Sequence, residues 1–326
     1  MKRIPLNIQT LYADLQQQIE TASPDEATVV ATTVGGIAYL RLQRWVGASR
    51  TIEHLGRSDD PDVLARAEAA RAEMAHRQER RRLVSALRRL MPAPAPILGK
   101  VLDAVSQAGL FRRGAVLVGT AAYQCYAPLL GTILPSASVM TQDADLATAD
   151  LALQGDSEGD SLLAILRRAD KTFAGLPSLD AKAPPARFRN ADNFVVDLLT
   201  PQRRRTDPNP MPLRRLAAGA IPLQQLDWLI FEPVPAVVLH GAGIPVVLPQ
   251  PARFAVHKMI LAQKRRAHEA AKSRKDLEQA AALVAVLRET APFALADAMA
   301  DASARGREGW ATPIERSLSQ IGAAFP

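Results

Sequence analysis

Cysteine is almost absent. The chain of 326 residues holds one, Cys125, so no disulfide can form within it and a Cys-rich zinc site is excluded. Cys125 lies in an apolar helical pattern and reads as a small buried hydrophobe. Histidine is scarce as well: five are scattered along the chain, with no HExxH and no close pair. No run of eighteen apolar residues occurs, which excludes a membrane-spanning helix. The N-terminus MKRIPLNIQTLYADL carries charge and lacks the apolar core of a signal peptide. A reducing cytoplasm fits all of these absences.

Positive charge is in excess, with 40 Lys+Arg against 33 Asp+Glu, a net charge of +7 and a pI near 9.8. That balance suits an anionic partner, either nucleic acid or a phosphorylated small molecule. It equally suits a chain that is simply rich in Ala, Arg and Pro, as many bacterial proteins are. A length of 326 residues implies two or three domains.

Residues 4–22 predict a helix with Ile4, Ile8, Leu11, Leu15 and Ile19 on one face and Pro5 in its first turn. The period then changes, and 28–56 predicts a small β-meander with turns at Val34-Gly35-Gly36 and Gly47-Ala48-Ser49. Asp59-Asp60-Pro61 caps a charged helix running to Leu90. Its basic part, Arg77 to Arg82 with Arg88-Arg89, fits a solvated face first and a phosphate-backbone contact second. The stiff linker Met91 to Pro96 marks a boundary. Three regions follow: 1–96 with helix, meander and basic helix; 97–250 as an alternating strand–helix core; and 251–326 as a helical domain.

Within the core, GAVLVG (Gly114–Gly119) predicts a buried strand, Thr120 to Leu130 a helix, Asp143 to Ala147 a strand, Ser161 to Leu176 a helix, and FVVDLL (Phe194–Leu199) a buried strand ended by Thr200-Pro201. Residues 201–215 read as a surface loop carrying the basic run 203–205. The runs WLIF, AVVLH and IPVVL within 228–248 read as sheet or hairpin. The whole is an α/β or α+β layer arrangement around a central sheet, and the class expected is α+β.

The stretch TQDADLA, Thr141 to Ala147, places two acids two residues apart. On a strand Asp143 and Asp145 point the same way, and like charges side by side need a cation between them. Asp197 is a third acid, embedded in apolar FVVDLL, where an isolated carboxylate is expensive. If its strand lies beside the first, the three build an oxygen cage suited to Mg²⁺. Gly119-Thr120 opens a helix directly after a strand, where backbone N–H groups favour anions. Strand, Gly-Thr, helix, D-x-D strand and a third-acid strand can together hold a nucleoside triphosphate and its metal. Each part alone is weak: the D-x-D can be a surface pair and Asp197 can be a buried acid paired with an arginine.

In this order the residues resemble the nucleotidyltransferase superfamily of DNA polymerase beta and the aminoglycoside nucleotidyltransferases. GTAAYQCY, TQDADLA, FVVDLLTP, ARFAVHKMILAQKR and KDLEQA are similar, more narrowly, to a bacterial group of nucleotidyltransferase-fold proteins and, more loosely, to toxins of the AbiEii and MenT type. The resemblance covers about 111–290. It implies a polymerase beta-like core, a mixed sheet with flanking helices. It further implies that Gly119 and Thr120 contact a triphosphate and that Asp143, Asp145 and Asp197 bind Mg²⁺, two ions in all. Asp197 would act as, or sit beside, the general base. Lys258 would match a lysine that meets the triphosphate, and Asp276 a late polar residue that buttresses the site. Two features depart from the pattern. The segment GTILPSASVM lengthens the gap before Asp143, and Val139 stands where the toxin-like pattern often has arginine.

The activity so implied is Mg²⁺-dependent transfer of NMP from an NTP such as ATP to an acceptor hydroxyl, with pyrophosphate released. The acceptor is RNA or tRNA, a protein or a small molecule. The alternative is a nucleic-acid-binding or toxin/defence-type regulatory protein that keeps the fold without catalysis.

Overall fold

The computed structural model of the protein describes residues 1–22, 27–46, 49–135, 143–149, 160–178, 182–204 and 206–323. Val139, Thr141, Arg205 and the second half of GTILPSASVM lie outside the described residues.

Strand β1 (Lys2–Arg3) and helix α1 (Leu6–Glu20) open the chain. Pro5 sits just before the helix, not in its first turn, and the buried stripe is Ile8, Tyr12 and Leu15, with Leu11 40% exposed. Tyr12 takes the inward place because its hydroxyl is matched at both ends: it donates to the Val237 carbonyl at 3.0 Å and accepts from the Val237 N–H at 2.9 Å. Strands β2 (Ala27–Val34), β3 (Ile37–Val46) and β4 (Ser49–Arg57) form the antiparallel meander expected at 28–56. Its apolar face, Leu40, Leu42 and Leu55, rests on Val63 and Ala67 of helix α2 (Pro61–Leu87). Asp60 caps α2 by accepting from the N–H groups of Asp62 and Val63. At its far end Val84 and Leu87 join Ile4, Ile8, Tyr12, Leu15, Val237 and Leu239 in a second apolar cluster. About 40 Å of helix therefore ties the meander to the rest of the molecule.

The central region runs from α3 (Pro96–Gln107) and a 3₁₀ turn at Phe111–Arg113 into β5 (Ala115–Val118), α4 (Gly119–Leu129), β6 (Thr132–Ile133) and β7 (Asp143–Thr148). Strand β6 pairs antiparallel with β1, so the start of the inserted segment is tied to the start of the chain. Next come α5 (Leu162–Ala169), β8 (Ala174–Gly175), β9 (Arg187–Arg189), β10 (Val195–Pro201), β11 (Met211–Leu213), β12 (Ala218–Leu223), α6 (Leu226–Leu229) and the hairpin β13 (Val234–Val238)–β14 (Ile244–Leu248). The main sheet has the order β11-β12-β10-β7-β5, with β9 and β8 joined beside β10. It is mixed: β7, β10 and β12 run parallel, while β5, β9 and β11 run antiparallel to their neighbours. Cys125 is buried on α4, its thiol pushed up to about 12 by burial.

Several expected boundaries shift. Helix α2 ends at Leu87, short of Leu90. Helix α5 stops at Ala169, far short of Leu176, because Asp170 accepts from the N–H and hydroxyl of Thr172 and turns the chain so that Phe173 enters the core. Strand β10 runs on through Thr200 and Pro201, since the N–H that proline lacks is not needed at a strand end. The loop 201–215 contains the short strand β11. WLIF is not sheet: Leu226, Trp228 and Leu229 are all buried, which alternation on a strand facing solvent would forbid, and the Trp228 indole N–H donates to Asp301 at 2.8 Å.

From Pro251 the chain is helical: α7 (Pro251–Lys264), α8 (Ala270–Thr290), α9 (Pro292–Ala304) and α10 (Thr312–Gln320). Proline occupies the first or second position of α2, α3, α7, α9 and α10, where its missing N–H is harmless. Helix α7 is buried along most of its length, His257 and Lys258 included, and touches α8, α9 and α10. Among the described residues no helix is long and apolar enough to cross a membrane.

Candidate active site

Strands β7 and β10 are parallel, and their register sets Asp145 directly beside Asp197 and Asp143 beside Val195. Side chains of paired residues share a face, and Asp143 shares it by alternation. The three acids that the sequence separates by more than fifty positions therefore converge on one face of the sheet. On the other side of Asp145, β5 contributes Val118 in register, and on the other side of Asp197, β9 contributes Arg187. One row across four strands thus reads Val118, Asp145, Asp197, Arg187.

Gly119 follows Val118 and starts α4. Its φ of +66° suits glycine. A methyl group added there would fall on Oδ2 of Asp145 and lie 3.1 Å from its Cγ. The glycine is therefore what lets the first turn of α4 approach the Asp145 carboxylate. Thr120 stands beside it, half-buried, and no side chain caps the helix start, so its first N–H groups remain for another acceptor. Gly119→Ala is expected to displace Asp145 and to lower stability by about 1–2 kcal/mol through the positive φ. Thermal unfolding checks the second effect, and a parent-like melting temperature contradicts it.

The electrostatics follow from burial and crowding. Burial pushes the Asp145 carboxyl up to about 7, and the Asp143 and Asp197 carboxylates push the same way, opposed by Lys258 and Arg187. Burial also raises Asp197, against the pull of Arg187. Arg187 donates to Asp197 Oδ2 at 3.0 Å, the arginine partner that a buried acid demands. Among the described residues the second oxygen, Oδ1, is buried with no hydrogen-bond partner. Among the described residues no group of three His, Cys, Asp or Glu side chains is arranged to hold a metal ion. The donor chemistry nonetheless fits a hard cation: three carboxylates in one field, one with an unpartnered oxygen turned inward.

Lys258 and Asp276 are paired with each other. Lys258 Nζ donates to Asp276 Oδ1 at 2.7 Å, and both side chains are under 10% exposed. Arg265 Nε holds the other oxygen at 3.0 Å. The pair joins α7 to α8, near enough for Lys258 to act on Asp145. Two further cations act on the acids. Lys275 feels Asp143 and Lys272 acts on Asp197, both from the first turns of α8. Sequence reasoning missed Arg187, Lys272 and Lys275. For Lys272 a signal existed, since it stands four residues before Asp276 and shares its helix face. Arg187 sits in a three-residue strand that leaves no periodic trace.

A family model described as nucleotidyltransferase matches residues 96–304, well over half of the chain. No curated protein and no solved structure matches it.

Proposed function

The chain belongs to the nucleotidyltransferase family, and we propose that it moves NMP from an NTP to an acceptor hydroxyl, using Asp143, Asp145 and Asp197. The observation that supports this most is the register of β7 and β10, which pairs Asp145 with Asp197 beside Gly119. In this reading the three carboxylates hold Mg²⁺, two ions where both sites fill. Bound there, the metal neutralises triphosphate charge and makes the acceptor oxygen and pyrophosphate better reacting groups.

The chain's own residues do the rest. Gly119, Thr120 and the open N-terminus of α4 receive phosphate oxygens, and Lys272 and Lys275 face the same charge from α8. The acceptor oxygen bonds to the α-phosphorus, the bond from that phosphorus to the bridging oxygen breaks, and pyrophosphate leaves. The acceptor proton goes to Asp197 Oδ1, the oxygen that Arg187 leaves unpartnered. Lys258 and Asp276 act as positioning residues that fix α7 against α8. Residues 97–250 form the catalytic core, with 1–96 and 251–326 as its flanking regions. The exposed arginines Arg81 and Arg82 of α2 and Arg88 and Arg89 just after it favour RNA as the acceptor.

The test is a transfer assay with each α-labelled NTP, Mg²⁺ and total RNA, beside an Asp143→Ala/Asp145→Ala control. Label that moves to RNA and is lost in the control is the expected result. No label, together with no Mg²⁺-dependent NTP binding by calorimetry, would overturn the reading and leave a non-catalytic, nucleic-acid-binding role.

A further inference from the structure

A cavity of about 290 Å³ opens where α1, α2, α3 and the β13–β14 hairpin meet. It shares no residue with the acid cluster, so it is a separate place on the molecule. Its floor is apolar: Phe111, Val237 and Val246 line it and are all buried. Its walls are not apolar. Gln16 and Glu20 of α1 and Gln107 and Asp103 of α3 line it, offering amide donors and amide and carboxylate acceptors; a phosphate must be held on the side away from the two carboxylates. Gln107 donates to Asp103 at 3.0 Å, which fixes the carboxylate's orientation.

The third wall is cationic. Arg77 and Arg80 of α2 and Arg112 of the 3₁₀ turn line the cavity. Arg80 is 5% exposed and held by Glu73 at 2.9 Å. Arg77 is pushed down to about 10, by burial first and then by Arg81, with Arg80 adding to the effect against Asp103. A phosphate placed there would relieve that repulsion. An aliphatic ligand would leave the polar walls unpaired, and a bare anion would leave the apolar floor unused. A flat aromatic ring with donors and acceptors on its edge and a phosphate attached uses all three surfaces, and such bases are read by stacking plus amide and carboxylate contacts. The volume lies at the small end of small-molecule sites.

We propose that this cavity is a second nucleotide site, taking one base and its ribose against the β13–β14 floor with the phosphate on Arg77 and Arg112. The nucleotide is either a free mononucleotide or one residue of a single strand that runs along the basic face of α2. The site does not depend on the activity assigned to the acid cluster.

The experiment uses the full chain carrying Asp143→Ala/Asp145→Ala, in EDTA, so that the acid cluster cannot bind metal–nucleotide. Labelled AMP and a labelled decameric oligoadenylate are titrated separately by equilibrium dialysis. The same titrations follow with Ala242→Trp, which fills the cavity from the hairpin turn, and with Gln107→Ala, an exposed position that leaves the core untouched. At least one probe is expected to bind, and to bind about ten-fold or more weakly in both variants. Binding of AMP identifies a free nucleotide as the ligand, while binding of the oligomer alone identifies a strand. Absence of binding by both probes, or binding unchanged in Gln107→Ala, overturns the proposal.

Discussion

Asp145→Asn is expected to lower nucleotidyl transfer by on the order of 10³-fold, about 4 kcal/mol of transition-state stabilisation, while the protein stays folded. Its melting temperature in EDTA is expected to equal or exceed the parent's. The reason is the crowding at the row across β7 and β10. The Asp145 carboxylate is half-buried beside two other carboxylates, and desolvation first and then their charge push it up to about 7. Ionised, it is a cost to the fold, because desolvation and like charge both oppose it. An amide keeps the shape and removes the charge. Stability and activity therefore move apart, which separates a residue kept for chemistry from one kept for structure. Single-turnover transfer and thermal unfolding on the same preparation read both. Activity within a few-fold of the parent would remove Asp145 from the site, and a marked fall in melting temperature would make it a structural residue.

The elements that surround this row were legible in the sequence to different degrees, for physical reasons. GAVLVG and FVVDLL are buried on both faces, so their apolar runs announce strands. Asp143 and Asp145 announce a shared face through period 2 alone. The three-stranded meander was visible through its Val34-Gly35-Gly36 turn; Gly47 and Ala48 lie outside the described residues. What periodicity cannot carry is register between distant strands. Nothing in the sequence states that Asp197 stands beside Asp145 and not beside Asp143, since that is set by how β7 and β10 slide together. Arg187 was hidden for the same reason. WLIF misled because a short apolar run does not distinguish a strand from one buried helical turn. Leu11 misled because an aliphatic was preferred to Tyr12, whose hydroxyl meets both polar groups of Val237.

The placement of Lys258 turns a sequence expectation into a different prediction. A lysine that touched the triphosphate would, when replaced by methionine, weaken NTP binding and leave unfolding unchanged. The observed Lys258 is spent on Asp276, with Arg265 on the other carboxylate oxygen. Among the described residues, Asp276 is the carboxylate that ion-pairs with the buried ammonium, and it serves two cations. Asp276→Leu leaves Lys258 buried beside Arg265 without that anion, and is expected to cost about 3–5 kcal/mol, or a fall of about 5–10 °C in melting temperature for a chain of this size. Lys258→Met leaves Asp276 with Arg265, which can still neutralise it, so its cost is expected to be smaller. The double variant Lys258→Met/Asp276→Leu removes both buried charges and is expected to recover much of the loss, a coupling that a cycle of the four proteins measures directly. Independent, additive effects would contradict the pair. The same cycle read by KM for NTP tells the two roles apart: a positioning residue lowers kcat through the tilt of α8, which carries Lys272 and Lys275, whereas a phosphate contact raises KM with the fold intact.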